Sequence, residues 1–189
     1  MYEILAMLFA YLVGGFPTGY YVARLHGIAD IRLHGSGNIG ATNVGRLFGP
    51  LLFMIVFCVD VSKAAAVLML AQLYGITGLW MLGIAGALLL GNCYTPFLGL
   101  RGGKGVATSA GILLVICPWL FLIVAFLWTS AYIMIKNVGM ASVVAALGAA
   151  LFSFSVRFSE MSQVYLVLMM ATIIVVRHKK NITQYLYAR

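Results

Sequence analysis

Three polar stretches hold most of the residues able to do chemistry. The first is Gly35-Ser36-Gly37-Asn38-Ile39-Gly40-Ala41-Thr42-Asn43-Val44-Gly45-Arg46, with four glycines among short hydrogen-bonding side chains and a cation at its end. Read as a loop, it lets the backbone turn tightly and approach a ligand closely. Exposed N–H groups beside Arg46 suit an anion, above all a phosphate. A plain surface turn is the competing reading, because a glycine-rich loop alone is a weak signal. The second stretch, Arg101-Gly102-Gly103-Lys104-Gly105, again sets a cation among glycines, at the start of an apolar run containing Thr108 and Ser109. If that run is a helix, its N-terminus favours anions through unpaired N–H groups and the macrodipole. The third, Arg177-His178-Lys179-Lys180-Asn181, holds a histidine able to accept or donate a proton near neutral pH. Asn181 shares a face with His178 if the helix continues. A basic cluster anchoring a membrane boundary is the alternative.

Several chemistries are disfavoured. A nucleotide P-loop needs a strand, four residues between its glycines and Gly-Lys-Ser/Thr, and neither glycine stretch has them. The carboxylates are Glu3, Asp30, Asp60 and Glu160, none of which pair locally for two-carboxylate hydrolysis. Three histidines and the dispersed Cys58, Cys93 and Cys117 argue against a metal site, and no cofactor is expected. The thiols read as buried and free rather than as a disulfide framework. Asp60 and Lys63 are spaced i, i+3 in an apolar segment, where charges suggest function by default. An ion pair positioning the helix is the favoured reading. Ser142 reads either as a donor to an anion or as a helix cap.

The elements that must position these residues are membrane spans. Of 189 residues, 63% are hydrophobic and 8% charged, with a mean hydropathy of +1.06. A soluble domain carries roughly 25% charged residues, and a chain this small cannot hide the deficit in its core. The fold class is therefore an all-α integral membrane protein. Residues 1–22 begin with an acidic residue, not a basic n-region, and read as a first span rather than a cleaved signal. Spans are expected at about 2–22, 50–73, 79–98, 106–117, 119–135, 139–156 and 164–176, with Pro17 kinking the first. The fourth is short, about 18 Å of helix against ~30 Å of hydrocarbon. The alternative fuses it with the fifth across Pro118. Span six is rich in Ala and Gly, which suits close helix packing.

Charge counting selects seven spans, with the N-terminus outside and the C-terminus cytoplasmic. Ten of the twelve basic residues, Arg24, Arg32, Arg46, Arg101, Lys104, Lys136, Arg177, Lys179, Lys180 and Arg189, then face the cytoplasm. Lys63 lies within a span and only Arg157 falls outside. The net charge of +8 thus reads as membrane orientation, not nucleic-acid binding. All three polar stretches emerge on one face, as a single membrane domain with a cytoplasmic site built from 35–46, 102–108 and 177–181.

Together these segments resemble the acyl-phosphate:glycerol-3-phosphate acyltransferases of bacterial membranes, the PlsY family. The residues carrying the resemblance are Ser36 through Asn43 with Arg46, Gly102 through Thr108, and Arg177-His178 with Asn181; Asp60-Val61-Ser62-Lys63 also looks like the family's Asp-x-x-Lys. Ahead of the second motif the family usually reads Gly-His-x-x-Pro, where this chain has Gly91-Asn92-Cys93-Tyr94-Thr95-Pro96.

The resemblance implies transfer of a fatty acyl group from acyl phosphate to the 1-hydroxyl of glycerol 3-phosphate, giving lysophosphatidic acid and phosphate at the bacterial inner membrane. Its partners would be those two substrates and membrane lipid, with no nucleic acid. It implies Lys104, His178, Ser36 and Asn181 as catalytic. Gly37, Asn38, Gly40, Thr42, Asn43, Arg46, Gly103, Gly105 and Ser142 would bind substrate and phosphate. Within that set Lys104 and Arg46 would take phosphate, and Ser36, Asn38, Thr42 and Asn43 with loop N–H groups would hold the phosphates and the developing oxyanion. His178 and Asn181 would orient glycerol 3-phosphate. An acyl phosphate is already activated, so orientation and charge stabilisation suffice and no acyl-enzyme nucleophile is required. Two rivals are weighed. An acyltransferase using acyl-CoA or acyl carrier protein would carry His-x4-Asp, and none of His26, His34 or His178 has Asp at that spacing. An organophosphate transporter would place polar groups at the midplane and repeat its halves, and no repeat is visible.

Overall fold

The structure, a computed structural model, describes residues 2–155 and 161–187. Arg157 and Arg189, which enter the charge count, and Glu160 lie outside the described residues. Every regular element among the described residues is helical. By packing the chain forms two units, residues 1–112 and 113–189.

The first unit begins with α1 (Tyr2–Gly15) and α2 (Thr18–Leu25). Pro17 separates them, so the expected kink is a full break between helices. Helix α3 (Ala41–Phe48) follows a 26–40 connection, and α4 (Pro50–Leu73) starts at once with proline at its first position, where the missing N–H costs nothing. Helix α5 (Gly78–Cys93) leads to a short 3-10 turn, Pro96–Leu98, and then to α6 (Val106–Ile116), which runs past the end of the unit.

Helix α1 packs along α5. At their crossing, a side chain on Gly91 would strike the Tyr11 carbonyl, and one on Gly14 would strike that of Leu88. Glycine is therefore required there for two backbones to touch, the usual device of helix pairs in lipid. A second core sits under the 24–49 connection, where Ala23, Ile31, Ile39, Ala41, Val44 and Val56 are buried against Tyr20, Phe48, Phe53 and Phe57. The connection expected to be polar is thus a folded layer with an apolar underside.

The second unit contains α7 (Pro118–Ile135), α8 (Val138–Phe152), α9 (Met161–Arg177) and α10 (Lys179–Tyr187). Residue Cys117, extended at φ −150°, separates α6 from α7, so the two are distinct helices and not one kinked rod. Helix α8 packs on α7 and α9, burying Ala141, Ala145, Ala146 and Ala149. Small residues thus line its contacts, as its composition suggests. Helix α7 leaves Trp119, Leu122, Phe126, Ile133 and Met134 exposed, an apolar face suited to hydrocarbon.

Among the described residues, four stretches can cross a bilayer by length and composition: Tyr2–Leu25, Pro50–Leu73, Gly78–Leu98 and Pro118–Ile135. The bent pair α9–α10 makes a fifth. Helices α6 and α8 are apolar but shorter, 11 and 15 residues. Among the described residues no cysteine is in a disulfide; Cys58 is exposed on α4 rather than buried, whereas Cys93 and Cys117 are buried.

Candidate functional site

In the first unit, the glycine-rich stretch is only half loop. Residues 35–40 form a turn, and Ala41 onward is helix α3 with Arg46 in its last turn. The turn is organised from within by Asn43. Its side-chain carbonyl accepts the Ser36 amide at 2.8 Å, and its NH2 donates to the carbonyls of His34 (3.0 Å) and Asn38 (2.9 Å). The side chain is fully buried. Expected as a ligand to phosphate, Asn43 is committed to the turn's own backbone and the Ser36 N–H is committed to it. Gly35 has φ +59°, and any side chain there would meet the Asn43 amide oxygen. Glycine is the residue that tolerates both conditions.

What this leaves presented is the Ser36 side chain and Gly37, both exposed, and half-buried Asn38, Gly40 and Thr42. Gly40 is the N-cap of α3 without a capping side chain. The first N–H groups of the helix thus have no side-chain cap, the condition that attracts anions to helix N-termini. Arg46, one turn further on, is exposed.

The second turn has its own organiser. Gly102 donates to the Cys93 carbonyl at 3.1 Å, and Gly103 to the Asn92 carbonyl at 2.8 Å. The Asn92 side chain then accepts the Gly105 amide at 3.1 Å. Lys104, half-buried, is held between these fastened glycines at the start of α6. In α6 the Thr108 and Ser109 hydroxyls are buried, and neither has a hydrogen-bond partner among the described residues.

Arg32 connects the approaches to both turns. It pairs with Asp30 at 2.7 Å, donates to the Leu98 carbonyl at 3.2 Å and lies 5.9 Å from the Tyr20 ring centre. Hydrogen bonding from this guanidinium holds the Asp30 carboxyl below its ordinary range, and the carboxylate in turn raises Arg32.

In the second unit, Ser142 and Asn181 lie near the start of α8, and His178 stands three residues before Asn181. Asn137 is the N-cap, its side chain accepting the Met140 amide at 3.1 Å. Ser142 is therefore not the cap. Its hydroxyl donates to the Val138 carbonyl at 2.9 Å and accepts the Trp128 indole N–H at 3.1 Å. Asn181 packs on Gly139, where a methyl group would lie 2.7 Å from its amide nitrogen. His178 occupies the 52° bend between α9 and α10 and is buried. Its Nδ1 lies 2.8 Å from the Ile174 carbonyl, which can only accept. Nδ1 is therefore the donor in this contact. Lys179 and Lys180 are exposed on α10.

The sequence model of the glycerol-3-phosphate acyltransferase family matches residues 4–188. The chain belongs to this family. It is 34% identical to the glycerol-3-phosphate acyltransferase of Aquifex aeolicus over 191 aligned positions, covering 100% of this chain and 98% of the relative. It is 38% identical to that of a Jannaschia species, covering 95% and 87%. Two crystal structures of the integral membrane enzyme PlsY superpose on it. The glycerol 3-phosphate form has a TM-score of 0.93 at 32% identity, and the lysophosphatidic acid form 0.91 at 31%. Each covers all of this chain and 94% of its own.

As a member of this acyltransferase family, the chain is an integral membrane protein whose expected site residues fall into two sets. Ser36, Gly37, Asn38, Gly40, Thr42, Asn43, Arg46, Gly103, Lys104 and Gly105 lie in the first unit, and Ser142, His178 and Asn181 in the second. Asn92 is the residue the motif reading passed over. It stands near the usual histidine of the family pattern, yet it shapes the Lys104 turn. A polar residue thirteen positions ahead of a glycine–lysine turn, in an otherwise apolar helix, was the available signal.

Proposed function

We propose that this protein transfers a fatty acyl group from acyl phosphate to the 1-hydroxyl of glycerol 3-phosphate, at the cytoplasmic face of a bacterial inner membrane. The observation that carries this reading is the presence of two glycine-built turns in one unit. Each leads into a helix N-terminus, with Lys104 just before α6 and Arg46 in the last turn of α3. Donor and acceptor each bring one phosphate, and two such turns answer that need. Family membership and the glycerol 3-phosphate and lysophosphatidic acid forms of the PlsY structures support the acceptor and product.

In the reaction the acceptor hydroxyl oxygen bonds to the acyl carbonyl carbon. The bond from that carbon to the phosphate oxygen breaks, and phosphate leaves with the electron pair. The hydroxyl proton passes to His178 Nε2 or to the departing phosphate. Lys104 and Arg46 bind phosphate, and Ser36, Asn38 and Thr42 with the α3 N–H groups hold phosphate and the oxyanion in a preorganised field. His178, Asn181 and Ser142 orient the acceptor. Asn43, Gly37, Gly40, Gly103 and Gly105 give the turns their shape.

Seven spans, N-terminus outside, follow from positive-inside counting, with α6 and α8 as short spans. That count assigns the 35–46, 102–108 and 177–181 segments of one membrane domain to the cytoplasmic side.

The test uses purified protein in detergent, given glycerol 3-phosphate with either acyl phosphate or acyl-CoA while phosphate release and lysophosphatidic acid are followed. Product from acyl phosphate alone is expected. Product from acyl-CoA alone would assign a different donor, and none from either would return the transporter reading.

A further inference from the structure

Asp60 and Lys63 lie within a helix long and apolar enough to span the membrane, where ionised groups are costly and need a reason. They are not in either turn. Their side chains are about nine-tenths buried and pair at 2.7 Å. A buried ion pair contributes little net stability compared with apolar residues of the same volume. What it offers is directional bonding, and both partners aim at the same place.

That place is the break between α1 and α2. Pro17 lacks an N–H and interrupts the helical ladder. The Lys63 ammonium donates to the Phe16 carbonyl at 2.8 Å, just before the break. The Thr18 hydroxyl, at the first residue of α2, donates to the Asp60 carboxylate at 2.8 Å. Both lips of the break are therefore fastened to α4 through one ion pair.

The next residue, Gly19, lies against the Ile39 carbonyl and within 3.0 Å of the Val44 methyl position, measured from where a side chain would begin. Ile39 and Val44 follow Asn38 and Asn43, the residues that build the 35–40 turn. We propose that Thr18, Asp60 and Lys63 are positioning residues that set the geometry of this turn by fixing where α2 stands. The catalytic consequence rests on the reading of the turn as a phosphate site; the mechanical link does not.

Thr18→Val isolates the link, since it keeps the ion pair and nearly the same shape while deleting one hydrogen bond. Hydrogen exchange at the Ser36 and Gly37 amides, hydrogen-bonded to Asn43 and His34, reads the turn directly. Exchange there should quicken roughly tenfold, the scale of losing one bond to a charged group, while the 75–78 turn is unchanged. The KM for a phosphate-bearing substrate should rise with the melting temperature held, and Thr18→Ser should restore both. Lys63→Met, which releases the Phe16 carbonyl, should give the same local pattern if Thr18→Val folds poorly. Unchanged exchange at Ser36 and Gly37 in folded variants overturns the inference. Quickened exchange with normal kinetics supports the link and removes the turn from the active site.

Discussion

Asn92 and Gly105, thirteen residues apart, meet through a 3.1 Å hydrogen bond in which the Gly105 amide donates to the Asn92 side chain. Asn43 does the same for the other turn, accepting the Ser36 amide at 2.8 Å. Each glycine-rich turn is thus braced from behind by an asparagine, and the braced amide is already hydrogen-bonded. Asn43, a candidate for binding by its sequence, acts in the structure as a support. The groups left for a ligand are the helix N–H groups, the exposed hydroxyls and the cations.

Asn92→Ala should loosen the Lys104 turn without unfolding the helices. Loss of one buried hydrogen bond, about 1 kcal/mol, corresponds to a fall of roughly fivefold in kcat/KM. Steady-state kinetics on purified protein, with circular dichroism confirming unchanged helicity, would check this. Unaltered kinetics would mean that the turn holds its shape without Asn92.

Gly35→Ala should be more damaging than its size suggests. The new methyl group would need the left-handed conformation, at about 1–2 kcal/mol, and would also displace the Asn43 amide. Asn43→Ala removes the same three bonds from the other side. The double variant should therefore lose less than the sum of the single losses, as coupled neighbours do. Thermal unfolding and activity of the three proteins test it, and strict additivity would show that the two residues act independently.

The Asp30–Arg32 pair predicts a limited acid sensitivity. The carboxyl is held below its ordinary value of 3.8, first by hydrogen bonding from Arg32. A depressed folded-state pKa stabilises above the unfolded value, and this stabilisation is lost as pH falls through the folded one. Stability from this pair should therefore be flat from pH 7 to about 5 and decline only below about 4. Melting temperatures across that range should show the decline, and Arg32→Gln should remove this part of it. Both side chains are about a quarter exposed, so solvent screening keeps the effect small.

How much of this was legible in the sequence depends on which force decides each feature. The long apolar helices were visible because apolar runs and prolines act locally, whereas α3 lies in a stretch read as a loop. Pro50 and Pro118 start helices where expected. Span number was less secure, because α6 at 11 residues and α8 at 15 fall short of a bilayer by length alone. Arg46 and Lys104 could be singled out by type and spacing. The role of Asn43 could not, since its burial depends on Ile39 and Val44 packing beneath the turn. Ser142 looked like a cap because it stands near a helix start, yet Asn137 had already filled that position.

His178 offers a test of orientation separate from charge. Its Nδ1 donates to the Ile174 carbonyl at 2.8 Å, which fixes the ring against its own helix. His178→Asn keeps a donor near the Nδ1 position but has no basic nitrogen, and His178→Ala removes both. If the ring mainly orients the acceptor, Asn should retain far more activity than Ala, with the loss in KM for glycerol 3-phosphate. If Nε2 takes the proton, both should lose on the order of 100-fold or more in kcat.

Lys104→Ala addresses the phosphate assignment most directly. A charged hydrogen bond of about 1.5–3 kcal/mol corresponds to roughly 10- to 150-fold in kcat/KM when made in the transition state. Lys104→Arg keeps the charge but not the point geometry of an ammonium among fastened glycines, and should recover only part of the loss. Because Gly102, Gly103 and Gly105 tie the turn through their own amides, which neither substitution touches, neither variant should lower the melting temperature appreciably. Near-normal turnover by a folded Lys104→Ala protein would remove the lysine from the site and leave Arg46 and the α3 N-terminus to carry the phosphate alone.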